Sequence, residues 1–178
     1  MYSENRLINW IKKIENAKDE ESLEIFDQMM EDVVIACLNI VRAIKEREIK
    51  KDDAEKELKK IRDLFSREIR FDSEVKDLAF KFTAESVEAI VRSFQYYLEG
   101  KTSKKSFESL LNEAFRMEKA GDLDGALDLI AKIGAKVISG EKLPDIDVES
   151  DSIILSWLDG IDCISTVLEL SRIDTSNE

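Results

Sequence analysis

The sequence predicts an all-α fold, a helical bundle of about seven helices in a single domain spanning residues 1–178, and three observations carry that expectation. One proline and six glycines in 178 residues leave few points at which a helix must stop. Helix formers such as Ala, Leu, Glu, Lys, Arg and Met dominate the remainder. Apolar residues recur at alternating intervals of three and four, which places them on one face of an α-helix. A chain of this length hides about 70% of its unfolded surface, so its core needs no staples.

Taken in order, a short helix fits Ser3 to Asn16 through Leu7, Ile11 and Ile14. A long amphipathic helix follows from Asp19 to Glu48, with Leu23, Phe26, Met30, Val33, Cys37, Ile40 and Ile44 as its stripe and Val34 and Val41 widening it. Leu58, Ile61 and Phe65 mark a helix over Ala54 to Glu68, and Asp52 with Glu55 three residues later has the form of a capping box. The second long helix runs from Ser73 to Glu99 on Val75, Leu78, Phe82, Ala84, Val87, Val91, Phe94 and Leu98, and Gly100 closes it as a C-terminal cap. Helices over Ser103 to Ala120 and Leu123 to Ser139 come next. Gly140 to Pro144 and the acidic stretch after it read as an inter-helix loop. The third long helix carries Ile154, Trp157, Ile161, Ile164 and Leu168. Asp19, Ser73, Ser103 and Asp122 sit where N-caps belong.

The composition excludes several chemistries. Without histidine, the Ser-His-Asp and Cys-His nucleophile systems, His-based zinc sites and Glu-x-x-His di-iron bundles all fall. Cys37 and Cys163 lie in apolar stretches 126 residues apart and read as reduced core thiols. Charges begin at Glu4, so no secretory leader is read, and the longest uncharged apolar stretch, Val33 to Val41, is too short for a spanning helix of about 20 residues. The expectation is a soluble cytoplasmic protein with no membrane contact and no cofactor.

Charge is uneven along the chain. Residues 106–178 carry 16 acidic and 6 basic side chains, which concentrates most of the net charge of −12 there and makes that third the expected electrostatic docking surface for a basic partner. Arg42 to Lys76 is the most basic segment, with 12 bases against 10 acids. There acids precede bases by four residues (Glu46 and Lys50, Asp52 and Lys56, Glu55 and Lys59, Asp63 and Arg67, Asp72 and Lys76), a pattern of solvated helix faces and not of nucleic-acid contact. Asp145, Asp147, Glu149 and Asp151 alternate along the loop and are candidate ligands for a hard cation. The EF-hand pattern is absent, because Ser150 and Ser156 stand where it needs glycine and glutamate. The bland alternative is a polar loop supplying caps to the last helix. Phe94 and Tyr97 share a core face, whereas Tyr96 points elsewhere and is read as a contact residue.

Three resemblances add to this reading. Glu21 with Glu24, and Glu74 with Asp77, resemble the Glu-x-x-Glu and Glu-x-x-Asp elements of all-helical pyrophosphatases of the MazG and dUTPase type, which implies Mg²⁺-dependent nucleotide hydrolysis by those four carboxylates. The match is fragmentary, since 49 residues separate the elements and Glu85 with Glu88 comes afterwards. Residues 110–130 resemble a single tetratricopeptide helix hairpin, with Leu110, Ala114 and Met117 packing against Ala126 and Ile130 around Gly121. The acidic, isoleucine-rich layout and the Ala-Gly-Asp-Leu-Asp-Gly-Ala hairpin resemble an archaeal family of uncharacterised helical proteins, which implies a cytoplasmic archaeal protein and assigns no catalytic residue. The preferred function is a protein-protein interaction or scaffolding module with a protein partner. Magnesium-dependent nucleotide hydrolysis is the alternative. The regular stripe from Leu23 to Ile44 can also serve as a seam between two chains, which makes a homodimer one expected assembly.

Overall fold

The computed structural model describes residues 1–149 and 151–175, with side chains described as far as Arg172; Ser150 and residues 176–178 lie outside it. Among the described residues seven helices form and no strand does: α1 (Glu4–Asn16), α2 (Asp19–Lys45), α3 (Lys51–Phe65), α4 (Glu74–Glu99), α5 (Phe107–Lys119), α6 (Leu123–Ile138) and α7 (Ile153–Thr175). The all-α expectation holds, with α2, α4 and α7 as the three long helices.

Helix α4 is the hub, packing against α2, α3, α6 and α7. Two close crossings explain how one helix serves so many neighbours. A Cβ on Gly134 of α6 would fall 1.9 Å from the Ser93 hydroxyl oxygen of α4, and one on Gly160 of α7 would fall 2.5 Å from the Ser86 carbonyl oxygen. Small residues therefore let α6 and α7 press onto the α4 backbone, and the Ser86 hydroxyl donates to the Ser156 carbonyl at 2.6 Å. The starts of α2 and α4 are pinned together by the Ser73 hydroxyl, which donates to the Asp19 carboxylate at 2.8 Å. These two helices consequently run side by side in the same direction, with α3 as the return. Helix α1 is fastened to α2 by Asp32, whose carboxylate accepts from Arg6 and from the Trp10 indole at 2.8 Å.

The hairpin of α5 and α6 forms as its pattern predicts. Leu110, Ala114, Ala126 and Ile130 are buried, and Gly121 takes a left-handed φ of 80° at the turn. Both cysteines are buried thiols.

Several boundaries differ from expectation. Helix α2 stops at Lys45 because Arg47 takes a left-handed φ of 60° and the Glu48 amide closes back onto the Ala43 carbonyl at 2.8 Å. Helix α3 begins at Lys51, so Asp52 falls within its first turn and the Asp52–Glu55 capping box does not form. The cap of α5 is Ser106, accepting from the Ser109 amide at 3.1 Å, in place of Ser103. Lys18 takes the N-cap position of α2, ahead of Asp19. Ser73, Asp122 and Gly100 cap as predicted. Of the five acid-then-base pairs, Asp72–Lys76 closes, at 3.0 Å, while Lys56 turns to Asp53 and Arg67 reaches Glu4.

Candidate functional site

The four carboxylates of the hydrolase reading do not meet in one site. Glu21 lies in a recess with Asp72 and Lys76, whereas Asp77 lines a cleft between α3 and α4. Glu24 and Glu74 are exposed and belong to neither. Each of three carboxylates has local work: Glu21 closes onto the Lys18 amide at 3.5 Å, Glu24 accepts from Gln28 at 3.4 Å, and Asp77 accepts from the Phe71 amide at 2.7 Å. Along the acidic loop Leu143, Ile146 and Val148 pack on the core while Asp145, Asp147 and Glu149 are exposed; from Asp145 to Glu149 the alternation is that of an extended chain, and Asp147 and Glu149 line a groove with Arg116, Glu118 and Lys119 of α5. Asp151 is exposed in the turn that follows. Among the described residues no group of three or more His, Cys, Asp or Glu is gathered so that it could hold a metal ion.

Tyr96 is engaged within the chain. Its hydroxyl donates to Asp128 of α6 at 2.6 Å, beside Arg92, which also holds Asp128 at 2.9 Å. Burial and the Asp128 carboxylate push the phenol up to about 12. The partly buried residue thus links α4 to α6 through its hydroxyl. The α2 stripe is likewise spent internally: Phe26, Val33, Cys37 and Ile40 are buried within the chain, and Leu23 is left 48% exposed.

Two further surface features lie along α4. The first is a cleft of about 520 Å³ between the end of α3, the segment that follows it, and α4. Phe65, Phe80 and Val87 form its floor, and Arg62, Arg67, Arg70, Lys81, Asp77, Glu85 and Glu88 stand around it. Much of that charge is already paired, Arg70 with Glu68 at 2.7 Å and Glu88 with Arg92 at 3.3 Å.

The second is a groove of about 360 Å³ between α2 and α4, closed at one end by Asp159 of α7. Val75, Leu78 and Phe82, three and four residues apart on α4, are 43%, 55% and 53% exposed, and Leu23 of α2 stands opposite. Phe26, Met30 and Ala79 line the groove between them. The same face of α4 continues as Ser86 and Ser93, but there α7 and α6 cover it. The first turns of α4 are thus an apolar helix face without a neighbour.

At the α7 end the charge is of one sign. Burial, then Glu24, raises the Asp27 carboxyl above its usual range; burial, then Asp162 and Asp27, raises Asp159. Burial with Glu31, Asp162 and Asp27 pushes the Cys163 thiol up to about 12. None of these three environments contains a cation, and none of the hydrogen bonds or ion pairs among the described residues engages Asp27, Glu31, Asp159 or Asp162. The sequence carries a sign of a second apolar face on α4, though not of what covers it. Phe82 and Ala84 are two residues apart, about 200° around a helix, so Val75, Leu78 and Phe82 cannot share the stripe of Ala84, Val87 and Val91.

No helix of the described residues is long and apolar enough to cross a membrane. No curated protein and no solved structure matches the chain. One family model does match, over residues 1–175, and its description is an uncharacterized protein conserved in archaea (DUF2150). With nearly the whole length covered, the chain belongs to this archaeal family.

Proposed function

We propose that the protein is a cytoplasmic interaction module that docks a protein partner on the groove between α2 and α4. The observation that carries this reading is the cluster of Leu23, Val75, Leu78 and Phe82, four large apolar side chains between 43% and 55% exposed that border one groove. Single exposed apolar residues are ordinary, whereas a contiguous patch bounded by charge is the usual form of a docking surface. Burying the four on a partner removes enough apolar area to contribute several kcal/mol at about 25 cal/mol per Å². The test is affinity capture with the intact chain, followed by the Leu23→Ser, Phe82→Ser double variant. A specific protein retained by the wild type and lost by the variant, with unchanged circular dichroism, is the expected outcome. Equal retention by both removes the groove from the interaction. A second copy competes for the same surface, and sedimentation over a range of concentrations distinguishes it.

A second reading, Mg²⁺-dependent nucleotide hydrolysis, has one observation in its favour. Asp77 shares the 520 Å³ cleft with Glu85, Glu88, three arginines and Lys81, and the basic side chains are of the kind that meets phosphate, while the three carboxylates are not drawn together into a metal site. Turnover of a nucleoside triphosphate panel that falls at least a hundredfold in Glu85→Gln or Asp77→Asn would favour it; turnover indifferent to both would dismiss it.

A further inference from the structure

The docking reading leaves the chemistry of the partner open, and the groove is specific about it. We infer that the α2–α4 groove receives an amphipathic helix of about three turns, apolar along one face and carrying lysine or arginine at the end that lies over α7. This inference rests on the docking reading and adds the partner's shape and charge.

The walls set the shape of the occupant. Helices α2 and α4 run side by side from the Asp19–Ser73 hydrogen bond onward, which makes a channel parallel to their axes. Val75 at one end and Ser86 at the other bound it along α4, a span of about 16 Å at 1.5 Å per residue. A third helix laid in that channel presents apolar residues at i, i+4 and i+7 to Leu23, Leu78 and Phe82, the helix-in-groove mode of recognition.

The α7 end sets its charge. Asp27, Glu31, Asp159 and Asp162 influence one another or the Cys163 thiol lying among them, with no basic side chain entering those environments. The groove faces them with Asp27 on the α2 side and Asp159 on the α7 side, while α4 contributes only Thr83 and Ser86 there. Two like charges on the groove wall, Asp27 and Asp159, backed by Glu31 and Asp162 and left uncompensated beside an apolar floor, suit a cationic segment, whose approach both neutralises them and is steered by them. A second copy of this chain, at net charge −12, would bring the same acids and oppose its own docking. An anionic membrane surface is repelled for the same reason.

The experiment uses the full-length chain and a labelled synthetic helix of about 16 residues, with leucines at i, i+4 and i+7 and lysines in its last turn, against the same helix with glutamine for lysine. Fluorescence anisotropy should show the lysine helix bound at least tenfold more tightly at low salt. The preference should shrink as salt rises, and the Asp27→Asn, Asp159→Asn double variant should lose most of it. Equal binding of the lysine and glutamine helices, or no binding of the lysine helix, overturns the inference about charge while leaving the groove open to another partner. Binding of the lysine helix that survives both Leu23→Ser, Phe82→Ser and Val75→Ser overturns the groove itself, and the docking reading with it. A concentration-dependent dimer dissolved by Phe82→Ser assigns the groove to a second copy, which also overturns the inference.

Discussion

Asp27 and Asp159 show how a single carboxylate can cost stability where it stands. Burial and like charges raise the folded-state pKa of each above that of the unfolded chain. For an acid shifted this way, both states are protonated at low pH and no penalty applies. As pH rises through the unfolded and then the folded pKa, the native state holds the proton longer, and the penalty grows to its full value above the folded pKa. Asp27→Asn and Asp159→Asn should therefore stabilise the free protein at pH 7 and lose that advantage as pH falls below about 4. Solvent screening at these exposed positions limits each gain to a fraction of a kcal/mol, or on the order of 1–2 °C in Tm. Thermal melts of each variant beside wild type at pH 7 and near pH 3.5 check it; equal Tm differences at both would contradict the pKa argument. The same substitutions are expected to weaken binding of a basic helix, so these acids trade stability of the free chain for recognition.

At the scale of elements, the informative residue is Glu118. It lies on α5, yet its carboxylate accepts from the Ile153 amide at 3.0 Å and from the Ser152 hydroxyl at 2.9 Å. The start of α7 is capped from another helix. The acidic loop places Ser152 as a cap, its hydroxyl accepting from the Ile154 amide at 3.2 Å, but the carboxylate that completes the arrangement is distant in sequence. Glu118→Ala leaves the first amide of α7 without its partner and should cost about 1–2 kcal/mol. Urea denaturation measures the loss, and faster amide exchange confined to the first turn of α7 locates it. An unchanged midpoint would show that water replaces the carboxylate at no cost. Where a cap is local, as at Ser73 and Asp122, reading it off the sequence works; at Lys51 and Ser106 a better placed start, one to three residues away, overrides the motif.

The whole molecule is organised around α4, and the groove is a consequence of that organisation. One helix buried by four neighbours must have small residues where two of them cross, and Ser86 and Ser93 meet Gly160 and Gly134 there. Because α7 meets α4 at Ser86, the turns before Ser86 keep an apolar face uncovered, and the acids of α7 arrive at its rim. Periodicity, scarce glycine and proline, and helix-forming composition fix the all-α class, the seven segments and most of the core, because a buried stripe is a local property of a helix. The uncharged character of the stripe cannot say which neighbour covers it. Leu23, Val75, Leu78 and Phe82 look as apolar in sequence as Phe26 or Phe80, and only the packing of α2, α4 and α7 decides that the first group meets water. In the same way the acidic excess is visible in the composition, but its gathering at one end of the groove depends on residues more than a hundred positions apart. Side-chain pattern determines what each helix must bury, whereas tertiary packing decides what remains exposed and beside what, and that remainder is the surface available to a partner.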